Sequence, residues 1–277
     1  MPDPHPAEPV EQAQPAERAL FHALVDDASA MRAGSALDHV LAEHLARGAE
    51  GFADLLGPLL LPAARADELV AVKHRRPVRV LLVGPVEDVQ PALPRLAADD
   101  AVTVAGVQVP WSPGWTQLLG AGVPVSVEVP AGVRAREAVA DIGAHTSGKA
   151  AVQAALRVDA PAVRDVAALA AALRQAVDLD LGFRVTGELP VARSGGEGLG
   201  LLNVLAATRY ALAHAAEVPE LARWLCHDEQ QDVLDVVTRM SQADASVVRA
   251  FFTSYDATAP AEAVRELARL RLVEDTV

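Results

Sequence analysis

The sequence predicts an α/β fold, a parallel (β/α)8-like barrel, and three observations carry the prediction. Short apolar strands alternate with helical segments along most of the 277 residues, a pattern that favours a parallel sheet with crossover helices. The length suits one barrel domain. Three strands, Val125–Val129, Ala151–Asp159 and Phe183–Leu189, are apolar at alternate positions and carry isolated charges at the others. Successive side chains of a strand face opposite sides, whereas parallel strands covered on both faces read as unbroken apolar runs. Charges confined to one face therefore point to the lumen of a closed barrel or the floor of a cleft. An open doubly wound parallel sheet is the alternative.

The elements follow in order. Residues 1–16, with Pro, Glu and Gln but no basic start and no apolar run, are expected to form a disordered tail, and 17–277 a single barrel-like domain. Glu17–Ala33 and Ala36–Arg47 read as two N-terminal helices broken at Gly34-Ser35. Leu55–Leu61 is the first expected strand and Val78–Gly84 the clearest buried one, ended by Gly84-Pro85. Val86–Leu96 is helical, shortened by Pro91 and Pro94. Strands follow at Val102–Val109 and Val123–Val129, with a short helix at Trp115–Ala121 between them. Val133–Ile142 is a helix, Ala150–Val158 a strand, Val163–Val177 an apolar helix and Gly182–Leu189 a strand. Leu199–His214 is a long helix, and Pro219–Ser241 is helical with a break near Cys226–Asp228. Val247–Thr253 is the last expected strand and Ala261–Leu270 the last helix. That makes seven strands; the seventh of eight is illegible between His214 and Ser241, so an irregular seventh unit is expected there.

Composition narrows the function classes. Apolar residues make up 51% and aromatics 4%, so Ala, Val and Leu fill the core. Lys73 and Lys149 are the two lysines; Arg supplies the other basic residues, a bias typical of GC-rich bacterial genomes. Net charge is −13. Nucleic-acid affinity needs clustered Lys and Arg, and His74-Arg75-Arg76 is short and isolated, so no nucleic-acid partner is expected. No stretch reaches the roughly 20 apolar residues that span a bilayer, so no membrane partner is expected and the protein is read as cytoplasmic. The single cysteine, Cys226, rules out an internal disulfide and multi-cysteine metal sites; it is read as structural. The histidines are scattered, and the spacing of His39 and His44 does not place both on one helix face. No dedicated metal site is expected, although carboxylates from different strands could bind Mg²⁺, and no cofactor is identified.

Several short motifs occur in one order from about Phe21 to Val273: Val25-Asp26-Asp27-Ala28, Leu56–Leu69, Ala155-Leu156-Arg157, Phe183-Arg184-Val185-Thr186, Gly200-Leu201-Leu202-Asn203 and Phe252-Thr253-Ser254-Tyr255. In this order they resemble an uncharacterised bacterial protein family with a barrel-like pattern, and the resemblance supports the fold more than any activity. The chain departs from the family's pattern at strand ends. Ser29–Gly34 stands in place of a Gly-Leu-Phe-Pro-Pro-Ala run, Ala155 in place of a Lys, and Asp159-Ala160 in place of Gly-Gly. Pro190-Val191 replaces His-His, and Asp256-Ala257 a Gly-Ser. Barrel enzymes build their sites at such positions. The resemblance thus implies either a non-catalytic relative or a rebuilt site.

The candidate site is the polar face of three strands: Ser126, Glu128, Gln153, Arg157, Asp159, Arg184, Thr186 and Glu188. Its acids and arginines either form a closed ion-pair network, as buried charges must, or line a pocket whose arginines take a small carboxylated or phosphorylated ligand through their bidentate fork. In the pocket reading Glu128 and Glu188 are the candidate catalytic bases, and Arg157, Asp159, Arg184, Thr186 and Asn203 the ligand-binding set. Two function hypotheses follow. One is a non-catalytic or ligand-sensing barrel. The other is a lyase or isomerase acting on a small anionic metabolite. The Gly195–Gly200 loop before a helix is a weak phosphate-cradle motif that also fits a flexible loop, and His145–Lys149 lacks the strand and upstream glycine of a phosphate loop. Trp111 and Trp115, flanking Pro113-Gly114, read either as a loop over the barrel mouth or as packing. The Ala- and Leu-rich helices Val163–Val177 and Leu199–His214 leave a homo-oligomer open.

Overall fold

In a computed structural model that describes residues 18–72, 76–146, 151–158, 165–187, 189–192 and 199–274, eight parallel strands close into a barrel in sequence order. They are β1 (Val25–Asp27), β2 (Leu56–Pro62), β3 (Val78–Val83), β4 (Val102–Pro110), β5 (Val125–Val129), β6 (Val152–Arg157), β7 (Phe183–Thr186) and β8 (Phe252–Ala257). The ring closes where Val25, Asp26 and Asp27 pair with Tyr255, Asp256 and Ala257. The helices are α1 (Leu37–Arg47), α2 (Ala66–Ala71), α3 (Val86–Ala97), α4 (Ala135–Gly143), α5 (Val166–Asp178), α6 (Leu201–Ala213), α7 (Val218–Leu225), α8 (Gln230–Thr238), α9 (Gln242–Phe251) and α10 (Pro260–Arg269). This is the (β/α)8 architecture, and the open doubly wound alternative falls away.

Two elements differ from the sequence reading. The described part of the expected first helix, residues 18–33, is not a helix: it holds short 3-10 turns at Arg18–Leu20 and Ser29–Met31 around β1. The missing strand is therefore the first, and the stretch between His214 and Ser241 is α7 and α8. A three-residue strand has no period of its own, and its Ala- and Leu-rich flanks read as helix. The second difference is at the C-terminal end, where Val247–Phe251 belongs to α9 and the strand starts at Phe252. A capping box decides the matter: the Ser241 side chain accepts from the Asp244 N–H, and Asp244 accepts from the Ser241 N–H, which fixes a helix start. Helix α3 also runs through Pro91 and Pro94, held by its buried face of Val86, Val89, Ala92 and Leu96.

The main core lies between the barrel wall and the helices. The lumen is a separate compartment, and it is divided. Leu60 and Leu81, with Ala28 and Val83, form a small apolar cluster apart from the main core. Polar side chains occupy much of the rest of the lumen. Between β7 and β8 the register shifts: Phe183 pairs with Phe252, but Val185 pairs with Tyr255. One residue of β7 thus faces two of β8, a β-bulge. No helix among the described residues is long and apolar enough to cross a membrane.

Candidate functional site

Strand pairing sets which side chains share the lumen. Gln108, Ser126 and Gln153 are register partners on β4, β5 and β6; Glu128, Ala155 and Arg184 are partners one step further on, and Arg157 pairs with Thr186. All these positions share one parity. Hydrogen bonds between strands that are not neighbours show which side that is, because such bonds must cross the interior. Arg184 on β7 donates through Nη1 to Gln108 Oε1 on β4 and through Nη2 to Asp26 Oδ2 on β1, the latter at 2.7 Å. The polar face read from the sequence is therefore the lumen face.

Arg184 is the hub, with 1% of its side chain exposed. Its Nη2 also donates to Asp256 Oδ1 on β8, so a single nitrogen bridges two carboxylates on paired strands. Thr186 Oγ1 donates to Asp256 Oδ2 at 2.7 Å, and Ser254 Oγ to Asp26 Oδ2 at 2.5 Å. Gln108 Nε2 reaches Thr186 Oγ1 at 3.3 Å. Burial pushes the Asp26 carboxyl up to about 6, against the pull of Arg184 and the Ser254 hydrogen bond. Gly57 on β2 makes room for this group: a Cβ there would lie 1.8 Å from Asp26 Oδ1. Deeper in the barrel a second set joins Gln153 Nε2 to Ser126 Oγ and Thr253 Oγ1 to Gln153 Oε1, both at 2.8 Å.

Nearer the mouth, Arg157 Nη1 donates to Glu128 Oε1 at 2.5 Å, with 43% and 22% of the two side chains exposed. These groups sit on the C-terminal halves of their strands, the end at which barrel enzymes place their chemistry. Of the residues singled out from sequence, Arg184 and Thr186 lie in the buried hub and Glu128 and Arg157 pair above it. Asp159 and Glu188 lie outside the described residues, as do residues 1–17, Ser147–Lys149 and Gly195–Gly198 of the loops. Asn203 stands apart, buried on α6, where its Nδ2 donates to the Trp224 and His227 carbonyls at 3.0 Å each. It ties the end of α7 to α6.

The sequence reading missed Asp26, Asp256, Ser254 and Gln108 as lumen groups. Asp256 and Ser254 follow the mistaken strand boundary at Thr253, and Asp26 lies in the mistaken helix. A signal was present: adjacent carboxylates, Asp26-Asp27, follow an apolar Leu24-Val25. One faces the lumen, and the other faces α1. Asp27 accepts from Ser29 N and Oγ, from His44 Nδ1 at 2.9 Å and from Arg47 at 2.5 Å. Burial alone would push Asp27 up, but the His44 and Ser29 hydrogen bonds and the Arg47 charge hold it down at about 2.

Outside the barrel wall, the Trp111 and Trp115 indoles both donate to Asp141 Oδ2 on α4, at 2.8 and 3.0 Å. Cys226 is a partly buried thiol at the end of α7, outside any disulfide. Among the described residues no group of three or more His, Cys, Asp or Glu is placed to hold a metal ion. Comparison with protein-family models, curated proteins and solved structures finds no match.

Proposed function

We propose that this chain is a divergent, non-catalytic relative of barrel proteins that senses a small carboxylated or phosphorylated ligand at its mouth. The observation that carries this reading is the division of labour between its two lumen arginines. Arg184 is sequestered and directs its terminal nitrogens to Gln108, Asp26 and Asp256. Arg157 stands 43% exposed beside Glu128, where an incoming anion can replace the glutamate on its guanidinium. A ligand held there stabilises the folded state by mass action, by about 2.7 kcal/mol at a hundredfold excess over Kd. Thermal-shift titration with inorganic phosphate and short dicarboxylates, with and without Mg²⁺, is the test. Stabilisation by one class that disappears in Arg157→Ala is the expected result. No stabilisation by any anion, or one indifferent to Arg157→Ala, overturns the reading.

A second reading, a lyase or isomerase acting on the same class of metabolite, is favoured by Asp26. Burial pushes its carboxyl up to about 6, towards the range useful for general acid–base work, and it lies on the lumen face beside Arg184 and Ser254. Here Glu128, Glu188 or Asp26 supplies the proton-transfer group. Turnover that survives Glu128→Gln, Glu188→Gln and Asp26→Asn would sink this alternative.

A further inference from the structure

A cleft of about 520 Å³ lies between the segment after β4 and helix α4, away from the polar lumen. Two of the three tryptophans of the chain form its wall, in a sequence where aromatics are 4% of residues. Both indole N–H groups converge on the same oxygen, Asp141 Oδ2. These two hydrogen bonds hold the carboxyl below the usual carboxylate range, so Asp141 is an ionised group of fixed orientation. Trp115 is further locked by the edge of His145, with ring centroids 5.0 Å apart. Trp111 offers its face to a cation already: the Arg134 guanidinium lies 4.6 Å from the ring centroid. That arginine is loosely held, with 62% of its side chain exposed and Glu137 at 3.3 Å as its ion-pair partner. Glu137 sits one helical turn before Asp141 on α4, so a second carboxylate lines the same cleft.

We propose that this cleft binds a small organic cation, an alkyl chain ending in a primary ammonium or guanidinium group. The head group lies over the Trp111 face, where the Arg134 guanidinium sits when the site is empty, and is neutralised by Asp141 and Glu137. The chemistry follows from the parts. An aromatic face attracts a cation through its quadrupole, and a carboxylate whose other oxygen is occupied by fixed donors accepts a further N–H bond with little reorganisation. Arg134 acts as an internal competitor, and this site is independent of the anion reading of the barrel mouth.

The test uses intrinsic tryptophan emission in the full chain carrying Trp224→Phe, so that Trp111 and Trp115 alone report. n-Butylammonium and n-butylguanidinium are the probes, with butan-1-ol and butyrate as controls. Saturable emission changes with both cations and with neither control are expected. Arg134→Gln, at a largely exposed side chain, is expected to tighten binding about two- to fivefold, the worth of an exposed cation–π contact released from competition. Asp141→Asn is expected to abolish the response, and Arg157→Ala to leave it unchanged. The proposal is overturned by a flat response to both cations in the Arg134→Gln background, by an equal response to butan-1-ol or butyrate, or by weaker binding when Arg134 is removed.

Discussion

Asp26 and Asp27 are neighbours in the chain, yet they respond to pH with opposite sign. Asp26 has its folded value raised to about 6 by burial. The folded state therefore holds its proton more tightly than the unfolded chain does. Its contribution to stability is complete below about pH 4 and is lost as pH rises through 6, a change of roughly 3 kcal/mol. Asp27 is held at about 2, so its contribution is present above pH 4 and is lost as pH falls through 2. Asp26→Asn is accordingly expected to gain on the wild type by about 3 kcal/mol between pH 4 and 6. Urea denaturation across that range checks it; a constant difference between the two proteins would refute the assignment. Gly57→Ala drives a Cβ into Asp26 Oδ1 and is expected to cost about 2 kcal/mol or more. In the Asp26→Ala background most of that cost is expected to vanish, as coupled neighbours require. At this scale the sequence revealed the lumen parity of Arg184, Thr186, Glu128 and Arg157, because strand alternation is local. It could not reveal their partners, because Asp26 lies 158 positions from Arg184.

The elements are joined by a few polar ties that periodicity does not foretell. Helix α1 is fastened to β1 by His44 and Arg47 on Asp27, and the end of α7 to α6 by Asn203. Asn203→Ala leaves two carbonyls near the end of α7 without their donor. It is expected to lower stability by about 1–3 kcal/mol and to shift Trp224 emission; an unchanged denaturation midpoint would remove Asn203 from this role. Helices were legible wherever an apolar stripe ran for three turns, as in α5 and α6. The first two turns of α6, Leu201–Ala207, are buried against α5, α7, α8 and α9. Element boundaries were lost where two signals competed: Val247-Val248 has the β-branched composition of a strand, and the capping box at Ser241–Asp244 overrides it.

Over the whole molecule, the alternation of strands and helices was enough to predict a closed barrel even with one strand misplaced, since the remaining elements still demanded a parallel sheet covered by helices. The net charge of −13 sets its behaviour towards polyanions. The protein is expected to pass unretained through immobilised duplex DNA at low salt, where a binder of phosphates would hold most tightly; retention released by added salt would overturn that expectation. The bulge in β8 reaches furthest. Thr253 bonds Gln153 and Ser254 bonds Asp26, so two consecutive residues of one strand both serve the interior, which an evenly pleated strand cannot offer. Deleting either would leave Phe252 on Phe183 and Tyr255 on Val185 in an unbroken ladder. The sheet would be more regular and the interior one hydrogen-bonding group short. Residue count in β8 is therefore set by the needs of the lumen, and a length variant there would exchange one defect for another.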